Sequence, residues 1–147
     1  MSNKIIQATI AGIIATIVFS IVVIIAPGIG LPKMNPPGMV SMMLGVPMFV
    51  GWLWHFMIGI IFAISYALLF INLLSKVSSN ILKGVIFGFA AFVFAQIMLA
   101  IMGLMLPMPP MDGSMMMNMI GSIIGHIIFG ITVALMVEAP VAEKSFA

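Results

Sequence analysis

Four long apolar runs, almost free of charge, constrain this chain more than any other feature. They cover residues 5–26, 48–71, 81–106 and 114–137. Each holds about the 20 apolar residues that a helix needs to cross a ~30 Å hydrocarbon layer. Only 5% of the 147 residues are charged and 64% are hydrophobic, whereas a soluble domain is about 25% charged. A water-soluble core of this size cannot hide so much apolar surface. The pattern predicts an all-α integral membrane protein, a four-helix bundle built as one transmembrane domain over residues 1–147. The first run is longer than the roughly 7–15 apolar residues of a cleaved signal, so it reads as a retained helix.

The connectors differ from one another in material. Residues 27–47 hold Pro27, Pro32, Pro36, Pro37 and Pro47, and Pro107, Pro109 and Pro110 follow the third run. Proline lacks an N–H and breaks helices, so both stretches read as irregular, with a short amphipathic helix over 39–44 in the first. Residues 72–80 are polar and read as a loop. With four spans, Lys4, Lys76, Lys83 and Lys144 fall on one side and Lys33 alone on the other. The positive-inside rule then places both termini in the cytoplasm and the proline-rich connectors outside, in a multi-pass protein of a bacterial or archaeal cell membrane. Trp52 and Trp54, near the start of the second run, fit an interfacial aromatic belt.

The chain repeats itself. Pro36-Pro37 followed by Ser41-Met42-Met43 matches Pro109-Pro110 followed by Ser114-Met115-Met116 at an offset of 73. Gly51, His55, Gly59 and Ala63 match Ser122, His126, Gly130 and Ala134 at an offset of 71. Residues 1–72 and 81–138 thus read as tandem helical hairpins in the same orientation, related by a pseudo-two-fold axis along the membrane normal. Small residues mark the packing faces. Gly12 lies in the Ala8, Gly12, Thr16, Ser20 stripe, Gly84 and Gly88 form a GxxxG pair, and Gly59, Gly125 and Gly130 flank the histidines. In lipid such residues let helices approach closely.

The only two histidines therefore occupy matching places. Residues i and i+4 share a helix face, so each histidine lies on the small, polar stripe of its helix. Each sits on the order of 12–18 Å below the outer end of its helix at 1.5 Å per residue. Ser20 and Gln96 reach similar depth, which predicts an interior polar layer of Ser20, His55, Gln96 and His126.

Intramembrane ionisable residues point to function by default, and several roles fit this layer. A neutral histidine hydrogen-bonds across helices in a structural or accessory subunit of a membrane complex, whose partners are lipid, other subunits or a second copy. Two imidazoles from facing helices are also an axial pair for haem b, although the chain has no arginine for the propionates. Copper is a third ligand, because soft thioethers select Cu(I). Of seventeen methionines, Met98, Met102, Met105, Met108, Met111 and Met115 recur along the second outward segment. Met34, Met39, Met42 and Met43 lie in the first. Methionine is equally a flexible packing residue. A proton or small-solute path through His55 and His126 is the fourth role.

Other classes are excluded. Without clustered basic residues the chain has no nucleic-acid footprint, and without cysteine it has no disulfide or thiolate site. HExxH, GxSxG, a phosphate loop and paired carboxylates are all missing, and Asp112 is the one acid on the outer side. An enzyme acting alone is not expected. The layout resembles a family of small bacterial inner-membrane proteins known only as a domain of unknown function. The resemblance rests on His55/Gly59 and His126/Gly130, a His-xxx-Gly motif in helices two and four, with Gly12 and Gly84 early in helices one and three. It implies the four-helix topology and no established activity.

Overall fold

The computed structural model describes residues 2–137, so the tail with Glu138, Glu143 and Lys144 lies outside the described residues. The chain folds into α1 (Ser2–Ile25), α2 (Pro36–Leu44), α3 (Met48–Leu73), α4 (Asn80–Met105) and α5 (Met115–Met136). All but α2 are long and apolar enough to cross a membrane. Among the described residues there is no strand. The end of the bundle that carries residues 26–47 and 106–114 is the connector end, and the opposite one is the terminal end.

The prolines act differently from what the sequence suggests. The helix in the first connector starts at Pro36, not at residue 39. Pro36 and Pro37 fill its first turn, where an N–H has no intrahelical partner in any case, and the Asn35 side chain accepts from Gly38 N at 3.0 Å. Ser79 and Ser114 cap α4 and α5 in the same way, accepting from Leu82 N and Met117 N at 3.3 Å. Gly30 and Gly45, at φ 87° and 64°, close the turns on either side of α2, a conformation that suits glycine alone. In α3 a π-helical stretch over Tyr66–Phe70 interrupts the α-helical period. It brings both Tyr66 and Phe70 onto Phe87 of α4, with ring centroids 5.0 and 4.9 Å apart.

Packing depends on small residues. Helix α1 lies against α3 and α5, and α4 lies against α5. Ala8, Ala11 and Ala15 of α1 are fully buried. A Cβ on Gly12 would sit on Ile60 Cα, the Gly59 carbonyl and Ala63 Cβ of α3. A Cβ on Gly84 would sit on Ile131 and the Gly130 carbonyl of α5. Both close crossings are thus contacts of a glycine with the backbone of the facing helix. By contrast α3 and α4 meet through rings, Phe62 on Phe94 at 5.7 Å and the Phe87 contacts. The bundle is tight along three of its edges and spaced by aromatics along the fourth.

Where two backbones touch, even a methyl group must push helices apart. Gly130→Ala would place its Cβ against Gly84 O, Gly88 N and Gly88 Cα, and overpacking of this kind costs about 1–3 kcal/mol. Unfolding titrations in detergent should show that loss for Gly130→Ala and almost none for Gly28→Ala, whose Cβ meets nothing within 4 Å. Equal stability of the two variants would contradict the close crossing.

Candidate functional site

Above the glycine crossings, toward the connector end, the interior side chains become large and polar. Phe19 of α1 is the hub. Its ring lies 5.6 Å from His55 of α3 and 5.3 Å from His126 of α5, centroid to centroid. Gly125 makes room for it, because a Cβ there would collide with the Phe19 ring. Trp52 and Phe56 approach His55 at 6.0 and 6.4 Å, and Phe92 approaches His126 at 5.9 Å. Both imidazoles are half-buried and aromatic-walled.

The four polar residues expected to form a layer are held as two sets. Ser20 contacts His55 Nε2 at 3.4 Å. Gln96 does not bond His126 directly; its amide donates to Ser122 Oγ at 3.4 Å, and Ser122 Oγ lies 3.4 Å from His126 Nδ1. Ser122, on the same helical stripe as His126, therefore joins the centre. Ser114 and Asn118 of that stripe turn away from it. Ser114 caps α5, and Asn118 donates to the carbonyls of Asp112 and Ser114 at 2.6 and 3.1 Å.

Hydrogen-bond logic assigns the tautomers of the neutral rings. Ser20 uses its single proton on the Thr16 carbonyl at 2.8 Å, so it accepts from His55, which carries its proton on Nε2. His126 Nδ1 lies 2.8 Å from the Ser122 carbonyl, which only accepts, so His126 carries its proton on Nδ1. The lone pairs left over are His55 Nδ1 and His126 Nε2. Neither has a hydrogen-bond partner among the described residues. Among the described residues no buried side-chain nitrogen or oxygen lacks a partner, so these two atoms keep some exposed surface. Two unpaired lone pairs, one on each ring, are what this centre offers chemically.

A pocket of about 470 Å³ opens at the connector end. Ser20 and Trp52 line it from the helices, and Lys33, Met34, Asn35 and Pro37 from the connector. Trp52, expected in an interfacial belt, is half-buried and faces the site, whereas Trp54 is 43% exposed. The spacing from Trp52 to His55, one helical turn, carried that signal. Phe19 gave none, because an interior phenylalanine looks like any lipid-facing one. Toward the terminal end the centre is closed. Ala15, Thr16, Ala63, Phe87, Phe129 and Val133 are all buried there, with no polar group among them but the Thr16 hydroxyl, which bonds the Gly12 carbonyl at 2.7 Å.

The geometry bears on each ligand considered from sequence. A haem gripped between the two imidazoles needs a flat gap, and Phe19 contacts both rings, so the arrangement does not fit a shared macrocycle. The outward methionines are spread out. Met105 and Met115 are 80% and 73% exposed, Met111 is 50% exposed, and the Met108 thioether covers Gly103. Met102 is half-buried on α4. Met34 takes another path. Its thioether end reaches Gly121 of α5, and the residue is half-buried against the core. Among the described residues no three His, Cys, Asp or Glu side chains cluster as a metal site.

The tautomer assignment is open to direct measurement. Imidazole nitrogen chemical shifts of isotopically labelled histidine in the detergent-solubilised protein should show one ring protonated at Nε2 and the other at Nδ1. Ser122→Ala keeps the carbonyl partner and should leave His126 as it is, while Ser20→Ala should free His55. Identical tautomers at both positions would overturn the assignment.

Comparison with known families gives one match. The chain belongs to a family of unknown function, DUF6789, whose pattern covers residues 2–146. No curated protein and no solved structure matches it.

Proposed function

We propose that this member of the family is a non-catalytic, accessory component of a cell membrane whose His55/His126 centre receives a small ligand from the outer side. The reading is supported by one observation: Ser20, which lies 3.4 Å from His55 Nε2, and Trp52, whose ring lies 6.0 Å from that of His55, both line a pocket at the connector end. A permeation path would need polar or hydrated space continuing to the other end. The terminal half instead buries mainly alanine, phenylalanine and valine with the Tyr66 ring, a plug about two helical turns deep by the spacing of Ala8, Ala11 and Ala15. The pocket is blind.

The positive-inside rule gives the connector end as the outer face, with Lys33 at the pocket and both termini in the cytoplasm. Around the centre the side chains are imidazole, hydroxyl, amide and aromatic, a set that binds and orients. Partners in the bilayer would be other subunits or a second copy, engaged through the exposed apolar faces of α3 and α4. The halves of the chain read as tandem hairpins, the second of which has kept the close crossing and changed the residues around its histidine.

Because the native chain has no cysteine, single cysteines report access without background. Ser20→Cys and Ser122→Cys should react with a membrane-impermeant methanethiosulfonate added at the outer face of right-side-out vesicles. Val133→Cys, at a fully buried position, should stay unlabelled from either side. Proteoliposomes carrying the unmodified chain should hold a pH gradient as long as empty ones do. Labelling of Ser20→Cys from the inside, or rapid collapse of the gradient, would overturn the blind-pocket reading.

A further inference from the structure

We infer that the pocket at the connector end binds an amphipathic monoanion, a single-chain carboxylate taken from the outer membrane leaflet, with its head group at Lys33 and its apolar body against α1 and Trp52. The inference rests on the outward-opening pocket proposed above and adds the class of molecule that enters it. Every residue that selects the ligand lines this one pocket. Three properties of the lining do so: the sign of its free hydrogen-bonding groups, its charge and its apolar wall.

The free polar side-chain groups are donors. Ser20 spends its proton on the Thr16 carbonyl at 2.8 Å, and its oxygen faces His55 Nε2 at 3.4 Å. Asn35 Oδ1 is taken by Gly38 N at 3.0 Å, which leaves the N–H groups of its amide. Lys33 and Trp52 can only donate, through an ammonium and an indole N–H. Neither these two groups nor the Asn35 amide nitrogen has a hydrogen-bond partner among the described residues, and all three keep exposed surface. The start of α2 adds no free amide, because Pro36 and Pro37 lack an N–H and Gly38 N is capped. Side chains that all donate call for a ligand that accepts.

Charge narrows the choice. Lys33 is the one cation of the lining and no acid shares it. Asp112, the only acid among the described residues, is exposed in the second connector. One ammonium matches one negative charge. A second would lie beside Trp52 and the prolines without a counter-ion, and a charge taken out of water needs one. A carboxylate meets these terms: its two oxygens accept from the ammonium and from a neutral N–H at once.

The rest of the wall is apolar. Val23, Ile24, Pro27, Pro36 and Pro37 complete the lining. Ile24 is 71% exposed, and Ile21 and Ile25 beside it on α1 are 53% and 61% exposed, so this wall is continuous with the lipid-facing surface of the helix. A chain can pass from the leaflet into the pocket over Ile24. The indole of Trp52 serves both ends of such a molecule, ring for the chain and N–H for the head. A volume of about 470 Å³ is that of a small-molecule site and suits one chain, not the two of a phospholipid. Seated there, the ligand adjoins the histidine centre through Ser20 and Trp52, which lie 3.4 Å and 6.0 Å from His55.

The test uses the full chain in phosphatidylcholine nanodiscs and a dodecanoate brominated at its chain end, at a pH where the acid is ionised. The chain has two tryptophans, so Trp54→Phe leaves Trp52 as the only indole. Its fluorescence should fall along a saturable curve as the bromo acid is added. Adding Lys33→Gln should raise the half-point about tenfold, the change a charge-assisted hydrogen bond commonly brings, and Lys33→Arg should restore it. Brominated dodecanol should give only the linear quenching of bulk partition, as should either probe with Trp52→Phe, where Trp54 alone reports. Should the Lys33 variants fail to fold, competition on the Trp54→Phe chain still decides: unbrominated dodecanoate must restore the fluorescence, and dodecanol and a dicarboxylate of equal length must not. Linear quenching alone, equal quenching by acid and alcohol, an unchanged half-point in Lys33→Gln, or displacement by phosphatidylglycerol would each overturn the proposal. Outer-face labelling of Ser20→Cys would still stand in that case, so the blind pocket and its ligand fail separately.

Discussion

The backbone contact between Gly130 of α5 and Gly84 and Gly88 of α4 governs the shape of this bundle, together with the matching contact of Gly12 with Gly59. Lipid gives no hydrophobic push between helices, so association depends on packing and on close approach. Once two pairs of helices are pinned at glycine, what lies beyond the pins is decided by side-chain size. Toward the terminal end α1 presents alanines and the helices stay close. Toward the connector end the same helix presents Phe19, which faces His55, and α5 yields a glycine to receive it. Aromatic rings and imidazoles fill the space between the helices there. The pocket at the connector end lies on the large-residue side of that gradient.

The gradient also explains why two matching histidines end up unlike. With Gly12 aligned on Gly84, Ser20 of α1 falls opposite Phe92 of α4, and Phe19 opposite Ala91. One histidine therefore meets a hydroxyl and the other a phenyl ring. His55 gives its proton to Ser20 across the helix pair, while His126 gives its proton back to its own helix at Ser122. The free nitrogens are different atoms of the two rings. Unlike partners thus supply two non-equivalent lone pairs on rings that pack against one phenyl ring.

Much of the frame could be read from residue order. Length and polarity of the runs set the four long helices, and the four-residue spacing of Ala8, Gly12, Thr16 and Ser20 marked the face of α1 that is buried. The crossing glycines were visible for the same reason, since a residue without Cβ signals where another backbone comes near. What the sequence could not reveal depends on partners far apart in the chain. Phe19 is chemically indistinguishable from the phenylalanines that face lipid until α3 and α5 are placed beside it. Gln96 is deep enough to reach His126, but Ser122 stands between them, a matter of rotation about the helix axis that depth alone leaves undetermined. The helix start at Pro36 was hidden by a rule applied too broadly, because proline breaks a helix in its interior and begins one at its first turn.

Access to the centre is set by the connector, not by the spanning helices. Lys33, Met34 and Asn35 sit between the tight turn after α1 and the start of α2, and both neighbours are anchored. Gly30 closes the turn, and Pro36 with the Asn35 cap fixes the entry to α2. Pro32 packs over Gly113, so the first connector also leans on the second. The five residues 31–35 strung between these fixed points have little freedom to swing as a lid. Their side chains instead form a standing rim, with one cation, one thioether and one amide above an aromatic-walled floor. On the reading proposed above, a change at Lys33, which is exposed on this rim, would alter what enters the pocket, whereas Met34 and Asn35 also hold the packing and the α2 cap.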